Sequence, residues 1–174
     1  MYDNGTLWIT RKTISLNESL KIIMKIYIAG SDVFYNDAKS RIADYSNICL
    51  RYGHIALTPL DNEIDQFDPK GASLIYRANI KSILDCDVVI ANVNNFRGLE
   101  PDSGTAFEIG FAAALNKIII MWYNTDCGKD LISRLGTRYI GDTIVEDFGL
   151  PLNIMLALSG DYIQGNFEDA ISLL

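Results

Sequence analysis

Four short apolar runs recur along the chain: Lys25-Ile26-Tyr27-Ile28-Ala29, Ile55-Ala56-Leu57-Thr58, Val88-Val89-Ile90-Ala91-Asn92-Val93 and Ile118-Ile119-Ile120-Met121-Trp122. Each is rich in β-branched residues, and each is too short and too continuous for an amphipathic helix. They read as strands buried on both faces, the signature of a parallel sheet. Helical spacing fills the gaps. Asp37 to Tyr52 places Ile42, Tyr45, Ile48 and Cys49 on one stripe and ends at Gly53, Ala72 to Leu84 forms a second helix, and the Ala-rich stretch from Thr105 to Lys117 forms a third. The alternation predicts an α/β fold, a Rossmann-like (flavodoxin-like) doubly wound parallel sheet of about five strands with helices on both faces. Beyond the fourth run the pattern weakens. A short helix over Asp130–Leu135, a small strand at Tyr139-Ile140, a helix from Leu150 to Leu158 with Pro151 in its first turn, and a C-terminal helix from Phe167 to Leu174 complete the reading. Residues 1–23 carry only a weak strand-like patch at Leu7-Trp8-Ile9 and a short helical stretch, and read as an N-terminal extension to a single domain over 24–174. The stretch 63–71 is polar with Pro and Gly and reads as a mobile loop.

In a sheet of this kind the loops at the carboxyl ends of the strands form the ligand crevice. The first supplies Tyr27, Gly30, Ser31 and Phe34, and the second Asp61 and Asn62. The third supplies Asn95, Arg97, Asp102, Ser103, Gly104 and, in the opening turn of its helix, Glu108. Two carboxylates, Asp102 and Glu108, therefore face the crevice. Thr105-Ala106-Phe107-Glu108 also fits a capping box, with Thr105 as N-cap and Glu108 at N3. Against a purely structural role stands Gly110, because glycine inside a helix costs roughly 1 kcal/mol relative to alanine. Its presence is explained if another backbone or a ligand comes close.

Composition narrows the partners. Lys and Arg number 15 against 22 Asp and Glu, a formal charge of −7, which disfavours a nucleic-acid backbone or an anionic membrane and suits a small uncharged ligand. The three cysteines, Cys49, Cys86 and Cys127, are odd in number and widely spaced. They form neither a disulfide framework nor a zinc pattern, and the expected location is the reducing cytoplasm. His54 is the only histidine. It follows Arg51-Tyr52-Gly53 at a helix end and is expected to cap it. Ala29-Gly30-Ser31 lacks the glycine spacing of a dinucleotide fingerprint, and no run approaches the ~20 apolar residues of a membrane span. No cofactor or metal is expected.

Four pieces resemble the nucleoside 2-deoxyribosyltransferase family over roughly residues 25–155. They are Tyr27 with its small-residue turn and Phe34; Pro59-Leu60-Asp61-Asn62; Asp102-x-Gly104-x-x-x-Glu108-x-Gly110; and Pro151-Leu152-Asn153-Ile154-Met155. The third also occurs in the related deoxynucleotide N-glycosidases. The resemblance implies an enzyme of nucleoside salvage that exchanges the base of a 2′-deoxynucleoside for a free nucleobase through a covalent deoxyribosyl-Glu intermediate. It implies Glu108 as nucleophile, Tyr27 as the residue orienting it, Asp102 as a substrate contact, and Asn153 as a contact to the sugar in an adjacent subunit's site, hence a homo-oligomer with shared sites. Glu108 is expected to be ionised at rest, favoured by the helix N-terminus and by Tyr27. Where the family carries an Asp for proton transfer to the base, this chain has Asn79, in Tyr76-Arg77-Ala78-Asn79; that shifts the acid role to Asp102. The alternatives are an N-glycosidase of 2′-deoxynucleosides or their 5′-monophosphates, with Ser31, Ser103 and Arg97 as phosphate donors, and a non-catalytic nucleotide sensor.

Overall fold

The computed structural model describes residues 22–59, 71–124 and 130–174. Residues 1–21 of the N-terminal extension, the loop carrying Asp61 and Asn62 and the third cysteine, Cys127, lie outside the described residues. Five strands form one sheet, all parallel: β1 (Lys25–Gly30), β2 (Ile55–Leu57), β3 (Val88–Asn92), β4 (Ile118–Tyr123) and β7 (Asp161–Gln164), in the order β2-β1-β3-β4-β7. Strand order reverses between β1 and β3, and that is where an open α/β sheet parts its loops to make a crevice.

The alternation within each strand decides which layer it feeds. From β1, β3 and β4, the side chains of Ile26, Ile28, Val88, Ile90, Ile120 and Trp122 enter one core, which packs under α1 (Ala38–Tyr52) and α6 (Phe167–Ile171). Tyr27, Ala29, Val89, Ala91, Val93, Ile119 and Met121 enter the other. That second layer carries α2 (Gly71–Asp85), α3 (Ser103–Ala114) and the single-turn α5 (Ile154–Ala157). Small residues on both sides, Ala29 and Ala91 in the sheet against Ala112 in α3, let this helix lie close to β1 and β3. That approach allows a side chain on α3 to meet one on β1.

Between β4 and α5 lie a five-residue helix, α4 (Leu131–Leu135), and an antiparallel hairpin of β5 (Tyr139–Ile140) and β6 (Thr143–Ile144). The expected strand at Tyr139-Ile140 is therefore not part of the main sheet. The fifth sheet strand, Asp161–Gln164, goes unrecognised in the sequence because it is a largely exposed edge strand with two polar residues among four. The expected helix over Leu150–Leu158 is also shorter. It begins after Asn153, whose side chain accepts from the Met155 N–H at 2.9 Å and so sets the helix start there. At the end of α1, Gly53 takes the left-handed region at φ 83° and the His54 backbone N–H donates to the Cys49 carbonyl at 2.9 Å, closing the helix, while the His54 ring accepts from the Met24 N–H at 3.2 Å, steadying the entry to β1.

Gly30 closes β1 at φ 153°, beside Asn92 on β3, and a Cβ built there would lie 2.7 Å from the Asn92 Cβ. Gly30→Ala should therefore lower unfolding free energy by more than about 2 kcal/mol in urea titration, combining backbone strain with a steric clash. A loss below about 0.5 kcal/mol would show that the turn after β1 relaxes freely.

Candidate active site

Tyr27 stands in the middle of β1 with its ring fully buried, and its hydroxyl donates to Glu108 Oε1 at 2.7 Å. Asn79, on α2, donates from Nδ2 to the same oxygen at 3.2 Å. Three elements, one strand and two helices, thus converge on one carboxylate. Among the described residues no group donates to Oε2. Tyr76, Asn79, Ile80 and Ile83 line the α2 side of the cleft beside it, and Gly104, Phe107 and Glu108 line the α3 side. These are i, i+3, i+4 sets on two helices, so the cleft is the seam where their stripes fail to close. Helical spacing around Asn79 and Glu108 is the signal that could have found Tyr76 and Phe107 from the sequence.

Burial pushes the Glu108 carboxyl up to about 7, against its ordinary value near 4.5, and the Asp102 charge adds to the rise; the hydrogen bonds from Tyr27 and Asn79 oppose it without cancelling it. The expectation of a fully ionised Glu108 is corrected accordingly: desolvation outweighs the donors, and at neutral pH both protonation states are populated. The Tyr27 hydroxyl is pushed far up by its own burial and by the neighbouring Glu108 charge, so it stays protonated and donates to Glu108.

The start of α3 is also one turn earlier than the capping-box reading. Asp102 is the N-cap, its Oδ2 accepting from the Thr105 N–H at 3.0 Å and from the Thr105 hydroxyl at 3.3 Å. Thr105 is then the N3 residue and Glu108 lies in the second turn, released from capping. Ser103 and Gly104 form the exposed first turn. A Cβ at Gly104 would lie 2.9 Å from Asp102 Oδ2, so glycine keeps the cap accessible. A Cβ built at Gly110 would meet nothing within 4 Å among the described residues, so no contact among them explains the glycine.

The remaining expected site residues fall into separate places. Ser31 is buried in the 3₁₀ turn Ser31–Phe34, and Gly30 precedes it. Phe34 is 54% exposed and stacks on Phe96 at 5.3 Å, with the Arg97 guanidinium over both rings at 5.2 and 4.6 Å. This aromatic platform rises from the loops after β1 and β3 and does not line the cleft beside Glu108. Behind it sits a buried polar group that the sequence did not reveal: Asp32 accepts from Asn92 Nδ2 at 2.6 Å, from Arg41 at 3.4 Å and from the Tyr45 hydroxyl at 3.3 Å, pinning the β1 turn to β3 and α1. Asn153, on the far side of α3, caps α5 and donates to Glu146 Oε1 at 2.8 Å. Asn153 thus finds polar partners within its own chain, in Glu146 and the Met155 N–H.

The nucleoside 2-deoxyribosyltransferase family model matches residues 26–155, which span every described strand of the main sheet except β7 and include Tyr27, Asn79 and Glu108. The chain belongs to the nucleoside 2-deoxyribosyltransferase family. The 2-deoxyribosyltransferase from Leishmania mexicana is 35% identical, with 86% of this chain and 95% of that one covered at a TM-score of 0.73. The 2-deoxyribosyltransferase from the psychrotolerant bacterium Bacillus psychrosaccharolyticus shares the fold at 18% identity and a TM-score of 0.55, with 83% and 88% covered. A conserved protein from Enterococcus faecalis does so at 18% identity and 0.54, with 87% and 99% covered. No curated protein matches the sequence. Among the described residues no helix is long and apolar enough to cross a membrane.

The raised Glu108 value makes a stability prediction with a definite sign. A carboxyl whose folded value lies above its unfolded one contributes stability below about 4.5 that is lost as pH rises through about 7. Glu108→Gln, which keeps the shape and stays neutral, should match the parent near pH 4.5 and exceed it at pH 8.5. At about 1.4 kcal/mol per pH unit, the gap approaches roughly 3 kcal/mol. Thermal melts of both proteins across that range check it; parallel stability curves would place Glu108 in water rather than in the seam.

Proposed function

We propose that this chain exchanges the base of a 2′-deoxynucleoside for a free nucleobase, with Glu108 as the nucleophile and no cofactor. The observation that carries the reading is the loading of Glu108: the residue lines the cleft, its Oε1 is held by Tyr27 and Asn79, and its Oε2 takes no hydrogen bond among the described residues. An N-glycosidic bond breaks through an oxocarbenium-like state. A carboxylate beneath the sugar stabilises that charge and then bonds to C1′ as the bonding pair leaves with the base, which takes up a proton. The incoming base attacks C1′ of the deoxyribosyl-Glu ester from the side the first base left, and Glu108 departs as carboxylate. Two displacements retain the anomer. The ionised form does the work, so the rate of the first step should fall as pH drops below about 7.

Asp102 is the carboxylate among the described residues whose charge acts on Glu108, and it is read as a substrate contact at the cleft mouth. As the α3 cap its Oδ2 is already an acceptor, so any proton it gives the departing base comes from Oδ1. Gly30, Ser31 and Phe34 are read as the sugar and base side of the crevice, together with Asp61 and Asn62.

Glu108→Ala and Glu108→Gln should each lose at least about 10³-fold in base exchange while keeping the fold, measured by chromatography of a deoxynucleoside incubated with a second base. A 2-deoxy-2-fluoro-arabinosyl nucleoside should release its base and leave the sugar on Glu108, because fluorine destabilises the positive charge that release of the ester requires. Peptide mass mapping locates it. Base release without a labelled peptide, at equal rates with and without acceptor base, would instead identify direct hydrolysis.

A second copy of the chain is proposed to complete the site. Tyr76, Phe107, Met155 and Leu158 are all more than half exposed on the helices of the Glu108 layer, and Gly110 on the same layer has open space before it. Asn153 spends one amide hydrogen on Glu146 and keeps its second for a neighbour. Glu108→Ala and Asn153→Ala chains should each be nearly inactive alone. Refolded together as a random dimer they should regain roughly a quarter of parent activity, since half the dimers are mixed and each holds one intact site. No recovery in mixed oligomers verified by mass would confine Asn153 to its own chain.

A further inference from the structure

The cleft holds one neutral polar side chain whose chemistry the reaction does not use directly. Asn79 can give no proton to a leaving base, as its amide neither ionises nor protonates near neutral pH. Its Nδ2 nevertheless lies 3.2 Å from Glu108 Oε1, the oxygen that Tyr27 already holds at 2.7 Å from the opposite side. A carboxylate only accepts, so the amide must present its NH₂ end to it.

We propose that Asn79 is a positioning residue for Glu108: together with Tyr27 it ties down Oε1, so that Oε2 alone points at the sugar, and its uncharged amide holds the carboxylate ionised where a second carboxylate would repel it. The inference rests on the proposed reaction for its purpose and on geometry for its content. Two donors on one oxygen, one from β1 and one from α2, fix the plane of the carboxylate as well as its position. One donor alone would leave rotation about the Tyr27 bond. Among the described residues the titratable groups facing Glu108 are few: the Tyr27 hydroxyl from β1, Tyr76 from the same stripe of α2, and Asp102 from the start of its own helix, with Cys86 behind Tyr27. None of them is a cation. Relief of the buried charge therefore falls to the two donors, and Asn79 is the one open to the cleft.

The test uses the full chain with Asn79→Ala and Asn79→Asp. Titration of the Glu108 side chain is followed by NMR of protein labelled with ¹³C glutamate, with Glu108→Gln assigning the signal. Glu108 should titrate at higher pH in Asn79→Ala than in the parent, and at higher pH again in Asn79→Asp. In base exchange, the loss in Asn79→Ala should be roughly three- to tenfold greater at pH 6 than at pH 9, about the net worth of one ordinary hydrogen bond. A residue that only packed α2 against α3 would lower the rate equally at both. Unchanged Glu108 titration in both variants overturns the proposal. Should the parent exchange no base at all, the proposed reaction falls, and the titration still decides whether Asn79 holds Glu108.

Discussion

A carboxylate over the middle of a parallel sheet is stable only if something replaces its water. In this chain the replacement is a tyrosine hydroxyl reaching out of the sheet, and the 2.7 Å contact between Tyr27 and Glu108 constrains much of what surrounds it. The tyrosine must be buried to reach from β1, so β1 must be covered on that face by helices. The helix carrying Glu108 must lie close to the strand, which the small residues Ala29, Ala91 and Ala112 permit. That helix must also start late enough for Glu108 to lie beyond its capping turn, and Asp102 fixes the start.

The contact does not fully compensate the burial. Glu108 stays well above its ordinary value because desolvation exceeds what two neutral donors return. A site of this kind gives up folded-state stability at neutral pH, and in the proposed reaction the carboxylate gains when positive charge develops beside it. Such a carboxylate is poorly solvated in the resting protein and well matched to an oxocarbenium-like sugar. The donors are an alcohol and an amide, and in the proposed reaction a cation in their place would compete with the sugar for the Glu108 charge.

Where the hydrophobic pattern is strong, the fold is legible in the sequence. The strands β1, β3 and β4 are buried on both faces and are read nearly to the residue, as are α1, with its glycine stop, and α2. Legibility fails where burial is one-sided or local polar chemistry decides. The edge strand Asp161–Gln164 has almost no buried residue to reveal it. The start of α5 is set by Asn153 rather than by the apolar run around it, and the start of α3 by Asp102 rather than by Thr105. A capping motif has several registers in a stretch as rich in small polar residues as Pro101–Thr105, and side-chain geometry alone selects between them.

The convergence of Tyr27 and Glu108 shows what a sequence withholds even when it names both residues. They are 81 positions apart, and their contact follows from packing α3 over β1, which no local pattern records. Asn79 was harder still. As a departure from the family pattern it reads as a lost acid, because sequence comparison judges a residue by what it replaces. In place, it is judged by what it faces, and it faces the carboxylate oxygen that Tyr27 also holds. An aspartate there would add a second negative charge to a seam lined otherwise by apolar and aromatic groups, where Coulomb repulsion is least screened. The amide avoids that repulsion and contributes a donor, so a change that looks like a loss of chemistry in the sequence is, in this geometry, the gain of a second donor to the carboxylate oxygen that Tyr27 holds.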